Sequence, residues 1–177
     1  MNQVLKQFLK DRKVAAMAPT SQFAVRKICR YIDFSQDHAF VEYGPGDGVL
    51  SKAILARMSP QSSFVGIETN YGFIKELEKI SDPRFTAIHD SAENVSNIIR
   101  HPADIFFSSI PCTFLSQSAR RNLIRNTFDL LAPGGMFIVF QYSPLMKRHL
   151  EETFGNVQLS LVPLNVPTMF IMVARKN

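Results

Sequence analysis

Phe40-Val41-Glu42-Tyr43-Gly44-Pro45-Gly46-Asp47-Gly48 is the stretch whose reading decides the fold. Val41 and its neighbours are apolar and suit the end of a buried strand. Gly44, Gly46 and Gly48 then remove side chains at alternate positions, so that a ligand can approach the backbone closely. Val49, Leu50, Ala53, Ile54 and Met58 follow at helical spacing. Strand, glycine loop and helix start, in this order, put the first N–H groups of the helix beside anything bound over the loop. The stretch is not the dinucleotide fingerprint, which needs a glycine where Val49 stands. From these residues alone it is either a ligand seat or a plain tight turn.

Working outward, strand and helix patterns alternate. Strands are expected at 39–42, 63–68, 85–89, 104–108 and 136–142, and helices at 49–58, 71–80, 92–100, 116–131 and 144–154, with Pro133-Gly134-Gly135 stopping the long helix. The strands are continuous apolar runs, which means a parallel sheet covered on both faces. Two last strands, 157–162 and 169–175, have no helix between them and predict a hairpin that adds an antiparallel strand. The expected fold is therefore α/β, a doubly wound, mostly parallel seven-stranded sheet with a C-terminal antiparallel hairpin. Before it, residues 1–35 read as a helical segment and 36–177 as the main domain. The segment holds a short basic amphipathic helix over 3–12 and a second helix capped by Thr20 or Ser21, whose Val25, Ile28, Cys29 and Ile32 face a core.

With 177 residues, the chain is one ordinary domain with a substantial core. No apolar run is long enough for a membrane span, and no signal peptide is visible, so the expectation is a cytoplasmic protein. Cys29 and Cys112 are too few for a disulfide framework or a metal cluster, and no metal is expected. Without secretion, the sequon Asn94-Val95-Ser96 carries no meaning. The charge is uneven. Residues 1–30 hold seven basic side chains against one acidic, a net +6, while the rest hold 13 against 14, a net −1. The whole excess sits at the N-terminus and suggests an anionic partner, a lipid surface or nucleic acid. The 3–12 helix reads either as lying on an anionic membrane, peripherally on its inner face, or as packed on the domain with solvated lysines.

Ligands of an open α/β sheet bind beyond the carboxyl ends of its strands. At those ends stand Glu42 with the glycines, Glu68, Asp90 with Ser91 and Ala92, Ser108 to Pro111, and Gln141-Tyr142. A carboxylate ending strand two suits a ribose diol. Each acidic residue also has a bland reading: Asp90 or Ser91 can simply cap the helix opening at Ala92. Three acidic positions after three successive strands, in register with the loop, favour a ligand. Cys112 is a nucleophile in principle, but no histidine is placed to activate it, and an inert thiol is the stronger reading.

The E-x-G-x-G-x-G form of residues 42–48 resembles the first motif of the class I S-adenosylmethionine (SAM)-dependent methyltransferases. The resemblance implies SAM as cofactor, with Glu42 near its methionine ammonium, Gly44, Gly46 and Gly48 under it, Glu68 on its ribose, and Asp90, Ser91 and Ala92 at its adenine, Ser108 adjoining. The terminal hairpin is what that fold has. Over nearly the whole chain the sequence is similar to the bacterial phospholipid N-methyltransferases, which methylate phosphatidylethanolamine, and more distantly to the ribosomal RNA adenine dimethyltransferases. Phe8-Leu9-Lys10, Ala18-Pro19-Thr20-Ser21, Ser109-Ile110-Pro111, Gln141 to Leu145 and Asn165-Val166-Pro167 carry this likeness. It implies acceptor positioning by Ser109, Ile110, Pro111 and Tyr43, with Tyr43, Tyr142 or Phe114 facing a forming ammonium.

The strand-four loop, Ser108-Ser109-Ile110-Pro111-Cys112-Thr113-Phe114, lacks the Asn or Asp that base-specific amino-methyltransferases carry before proline, which weakens a nucleobase acceptor. Methyl transfer needs no acid–base pair, since in-line positioning alone is worth roughly 7–11 kcal/mol. The expected function is N-methylation of a phospholipid headgroup amine at a membrane surface. The alternatives are an RNA adenine N-methyltransferase, a small-molecule methyltransferase lidded by its N-terminal helices, and a module that holds SAM without catalysis.

Overall fold

The computed structural model describes residues 20–177, so the helix expected over 3–12 lies outside the described residues. The elements are α1 (Gln22–Cys29), β1 (Ala39–Tyr43), α2 (Val49–Leu55), β2 (Ser63–Glu68), α3 (Tyr71–Leu77), β3 (Phe85–His89), α4 (Val95–Ile98), β4 (Ala103–Ser108), α5 (Gln117–Leu130), β5 (Leu131–Gln141), α6 (Met146–Phe154), β6 (Val157–Val162) and β7 (Met169–Arg175). Seven strands form one sheet in the order β3-β2-β1-β4-β5-β7-β6. The first five are parallel, and β7 runs antiparallel to both β5 and β6. The expected doubly wound sheet with its antiparallel ending is the observed one.

Strand alternation sorts the core into two layers. Phe40, Phe64, Ile105, Phe107, Ile138 and Phe140 face α1 and α2, packing with Val25, Ile28, Leu50 and Ile54. Val41, Tyr43, Phe106, Phe137 and Val139 face the other way, onto Val95, Leu123, Ile124 and Leu150 of α4, α5 and α6. Helix α1 starts where expected: Ser21 Oγ accepts the Ala24 N–H at 3.3 Å, and Ala24, Val25 and Ile28 are buried against the sheet.

Several boundaries differ by one to three residues, and two elements differ in kind or register. The helix expected over 92–100 is a 3₁₀ turn at Ala92–Asn94 followed by the single turn of α4. Three β-branched residues and Pro102, which disfavours helical backbone just before it, leave it no room to extend. Strand five begins at Leu131 rather than 136. Leu131 pairs with Ala103, and the register then shifts across the glycines before Met136 meets Ile105. Gly134 donates to the Lys176 carbonyl, and a Cβ on Gly135 would lie 2.8 Å from the Asp104 carbonyl oxygen, so the glycines shape a bulge in the strand as well as ending the helix.

Order β2-β1-β4 puts the reversal of winding between β1 and β4, whose ends, Tyr43 and Ser108, are in register. The glycine loop and the strand-four loop therefore meet at the switch point, where an open α/β sheet forms its crevice. The β6–β7 tip lies at this same end, because Gln141 pairs with Phe170 and Val162 with Met169.

Candidate active site

The three loop glycines all adopt positive φ, at 69°, 57° and 75° for Gly44, Gly46 and Gly48. They do different work. A Cβ on Gly48 would stand 2.9 Å from Leu77 Cδ2, so this glycine lets α3 pack under the loop. One on Gly44 would press on Ile110 Cγ1 at 3.2 Å and Ser109 Oγ at 3.3 Å, so Gly44 seats the strand-four loop. A Cβ on Gly46 would meet nothing within 4 Å. Of the three, only Gly46 faces open space where a side chain would stand, which is the requirement for a ligand seat.

Glu68 and Glu42 hold the loop from beneath. Glu68 Oε2 accepts the Gly46 N–H at 3.1 Å, and Oε1 accepts the Asn70 N–H at 2.8 Å. These bonds fix the carboxylate's direction and leave lone pairs for a further donor. Glu42 is buried, and its Oε2 accepts the Ser51 hydroxyl at 2.6 Å. Burial raises its pKa from 4.5 to about 7; the Ser51 bond opposes this, and the negative fields of Glu68 and Asp47 add to it. Asp90 Oδ1 accepts the Asn94 amide at 2.7 Å and the Ser91 N–H at 2.6 Å, which together hold its pKa down, the Asn94 bond foremost. Ser91 Oγ caps the 3₁₀ turn by accepting the Glu93 N–H, and Ala92 is buried. The capping role foreseen for this corner is therefore real. Among the described residues, no lysine or arginine pairs with Glu42, Glu68 or Asp90.

The strand-four loop closes the other side. Ser109 Oγ donates to the Gly44 carbonyl at 2.5 Å, and its N–H donates to the Tyr43 carbonyl at 3.3 Å. Ser108 is buried and accepts the Ile110 N–H at 3.4 Å. Ile110 and Pro111 are half-buried at the mouth. Cys112 is buried, which raises its thiol pKa and makes it inert.

Tyr43 does not belong to this site. Its side chain is fully buried beneath the sheet, its hydroxyl sits 3.1 Å from Thr127 Oγ1 on α5, and its ring packs on Phe106 and Phe137. The expectation that it positions an acceptor and faces a forming ammonium fails through strand alternation: Glu42 takes the loop-and-α2 face, so Tyr43 must take the α5 face. Tyr142 is hydrogen-bonded to Asn165 and packs against the α1 side of the core.

Three residues complete the frame without having been singled out as site residues. Ser51 is the polar residue on the inward face of α2, a signal legible beside Leu50 and Ile54. Gln141 is buried, and its Oε1 accepts the Cys112 N–H at 3.1 Å. That bond fixes the amide's orientation, so Nε2 is left buried without a partner among the described residues, next to the strand-four loop. Asn165 accepts from the Ser21 N–H at 3.1 Å, donates to the Pro167 carbonyl at 2.7 Å and bonds Tyr142, joining α1, β5 and the hairpin tip.

Open backbone over Gly46, an oriented carboxylate at the end of β2, a second beneath the loop with no internal cation, and a third after β3 fit a cationic nucleoside better than a phosphate. With this geometry at the switch point, the chain has the fold of the class I SAM-dependent methyltransferases and is read as a SAM-dependent methyltransferase with SAM as its cofactor. The comparisons agree. The ornithine lipid N-methyltransferase of Singulisphaera acidiphila is 25% identical over 169 residues, 92% of this chain and 88% of that protein. Among solved structures, the N-methyltransferase NodS from Bradyrhizobium japonicum matches with a TM-score of 0.74 at 12% identity, over 86% of this chain and 93% of its own. Precorrin-6y C5,15-methyltransferase from Geobacter metallireducens matches at 0.71 and 17%, over 90% of each chain. An rRNA methylase from Streptococcus thermophilus matches at 0.63 and 15%, over 87% and 95%. No protein-family model matches the chain.

Proposed function

We propose that this protein N-methylates the headgroup amine of a membrane lipid, phosphatidylethanolamine or an ornithine lipid. The observation that carries the reading is the relative that acts on an ornithine lipid and aligns over 92% of this chain. When bound, SAM would supply an activated methyl on its sulfonium, and a neutral headgroup nitrogen held in line would take that methyl as the carbon–sulfur bond breaks and release its extra proton to solvent. Glu42, once ionised, meets the cofactor's ammonium from beneath the loop. Glu68, oriented by the Gly46 N–H, would accept from the ribose hydroxyls, and Asp90 with Ser91 and Ala92 would border the adenine. Because the Ser109 hydroxyl gives its proton to the Gly44 carbonyl, that oxygen offers only acceptor lone pairs. An amine N–H can donate to them, which leaves the nitrogen lone pair free to point at the methyl; Ile110 and Pro111 keep water from the mouth.

The test uses labelled SAM with the full chain and three acceptors: phosphatidylethanolamine in mixed micelles, ornithine lipid in the same micelles, and total cell RNA. Label in either lipid supports the proposal and identifies the headgroup. Label confined to RNA overturns it.

A further inference from the structure

On α1, Phe23, Arg26 and Lys27, continued by Arg30 at its end, follow the i, i+3, i+4, i+7 spacing of one helix face, opposite the buried Ala24, Val25 and Ile28. This outward face borders the β6–β7 hairpin, and between them runs a groove of about 290 Å³ lined by these three cations, by Phe23 and by residues 161–164, with no carboxylate in its walls among the described residues. The hairpin tip beside it leaves Leu164 65% and Val166 74% exposed, and Phe23 is 49% exposed. The Ser21–Asn165 bond locks helix and tip together. The tip and the first turn of α1 stand at the carboxyl end of the sheet, the end that carries the candidate active site, and the rest of α1 runs down beside β6.

We infer that this rim is the surface by which the protein docks on an anionic phospholipid leaflet, with Phe23, Leu164 and Val166 entering the interface and Arg26, Lys27 and Arg30 meeting lipid phosphates. Each half of the patch has its counterpart in a leaflet: phosphates for the cations, and the headgroup–acyl boundary for the apolar tip. Charge argues against other occupants. Residues 1–19 carry four basic side chains and one acidic, so laying them over three more cations sets like charges together, and a second copy of the rim does the same. RNA would use the cations but leave Leu164 and Val166 without a role. Docked this way, the crevice opens at the level of the headgroups. The inference gives the lipid-amine reading its geometry, and its test is independent of turnover.

The experiment is flotation of the full chain with vesicles of phosphatidylglycerol and phosphatidylcholine, against phosphatidylcholine alone and against RNA. Two variants are compared, Leu164→Ser/Val166→Ser and Arg26→Gln/Arg30→Gln, with thermal melts to establish that each is folded. Wild type should bind the anionic vesicles, less so as salt rises. Loss of two surface cations should weaken binding roughly 30-fold, and loss of the two apolar tips at least about tenfold. Wild-type affinity in both variants overturns the inference, membrane binding then resting on residues 1–19. It is also overturned if the arginine variant loses RNA and keeps vesicles. Docking that the variants abolish, in a protein that labels no lipid, upholds this surface and sinks the lipid-amine reading. Lipid labelled in micelles by a protein that ignores vesicles does the reverse.

Discussion

Gly46 and Gly48 are two residues apart and alike in backbone conformation, yet their substitutions should separate binding from folding. Gly48→Ala adds the left-handed penalty of roughly 1–2 kcal/mol to a methyl that Leu77 must move aside for. The expected loss is roughly 2–3 kcal/mol in urea melts, with α3 loosened. Gly46→Leu carries the same backbone penalty but collides with nothing, so it should stay folded. Its side chain fills the space over the loop, and SAM affinity by calorimetry should drop at least about 100-fold, the equivalent of roughly 3 kcal/mol. Equal SAM binding by wild type and Gly46→Leu would remove the loop from the cofactor site. Glu42 makes a pH prediction. Its folded pKa of about 7 lies above its ordinary 4.5, so between these values the native state holds a proton the unfolded chain has released. Wild-type stability should therefore fall as pH rises from about 4.5 to about 7 and then level off. Glu42→Gln keeps an acceptor for Ser51 and should lack that fall; parallel pH profiles in thermal melts would refute this account of Glu42.

At the level of elements, the C-terminal hairpin does more than finish the sheet. Its tip reaches back to the N-terminal helix through Asn165, which bonds Ser21, Tyr142 and the Pro167 carbonyl while only 2% exposed. Asn165→Ala takes a hydrogen-bond partner from these half-buried groups, at a cost of roughly 1–3 kcal/mol. Hydrogen exchange should show the first turn of α1 and the tip opening together in this variant; exchange that rises in only one of them would mean that they are not coupled. The pairing of these two elements was not legible in sequence, because 144 residues separate Ser21 from Asn165 and neither carries a periodic signal. By contrast, the strands were legible as continuous apolar runs, and α1, α2 and α5 as apolar faces at the helical period. Misjudged boundaries fall where local rules compete: the residues before Pro102, and the Pro133-Gly134-Gly135 stretch that both ends a helix and bulges a strand.

For the whole molecule, ligand and fold are linked through the switch point. SAM at 100 times its dissociation constant should stabilise the protein by about 2.7 kcal/mol, raising Tm by roughly 5–10 °C for a domain of this size. An unchanged Tm at saturating SAM would contradict the cofactor assignment. The described part of the N-terminal charge excess lies on the α1 face at the same rim, so an imbalance that composition could only register becomes a located surface. By itself, the sequence determined the α/β class, the antiparallel ending of the sheet and the carboxylates that end the strands. Hydrophobic period and glycine spacing are local properties, and an open parallel sheet always gathers its strand ends at one edge. Only the tertiary structure decided that Tyr43 turns away from the loop and that Gly44 and Gly48 serve packing while Gly46 alone faces open space. It alone placed Ser51, Gln141 and Asn165 in the frame. Which face a side chain takes, and what a missing Cβ would strike, depend on neighbours brought together only when distant segments fold onto one another.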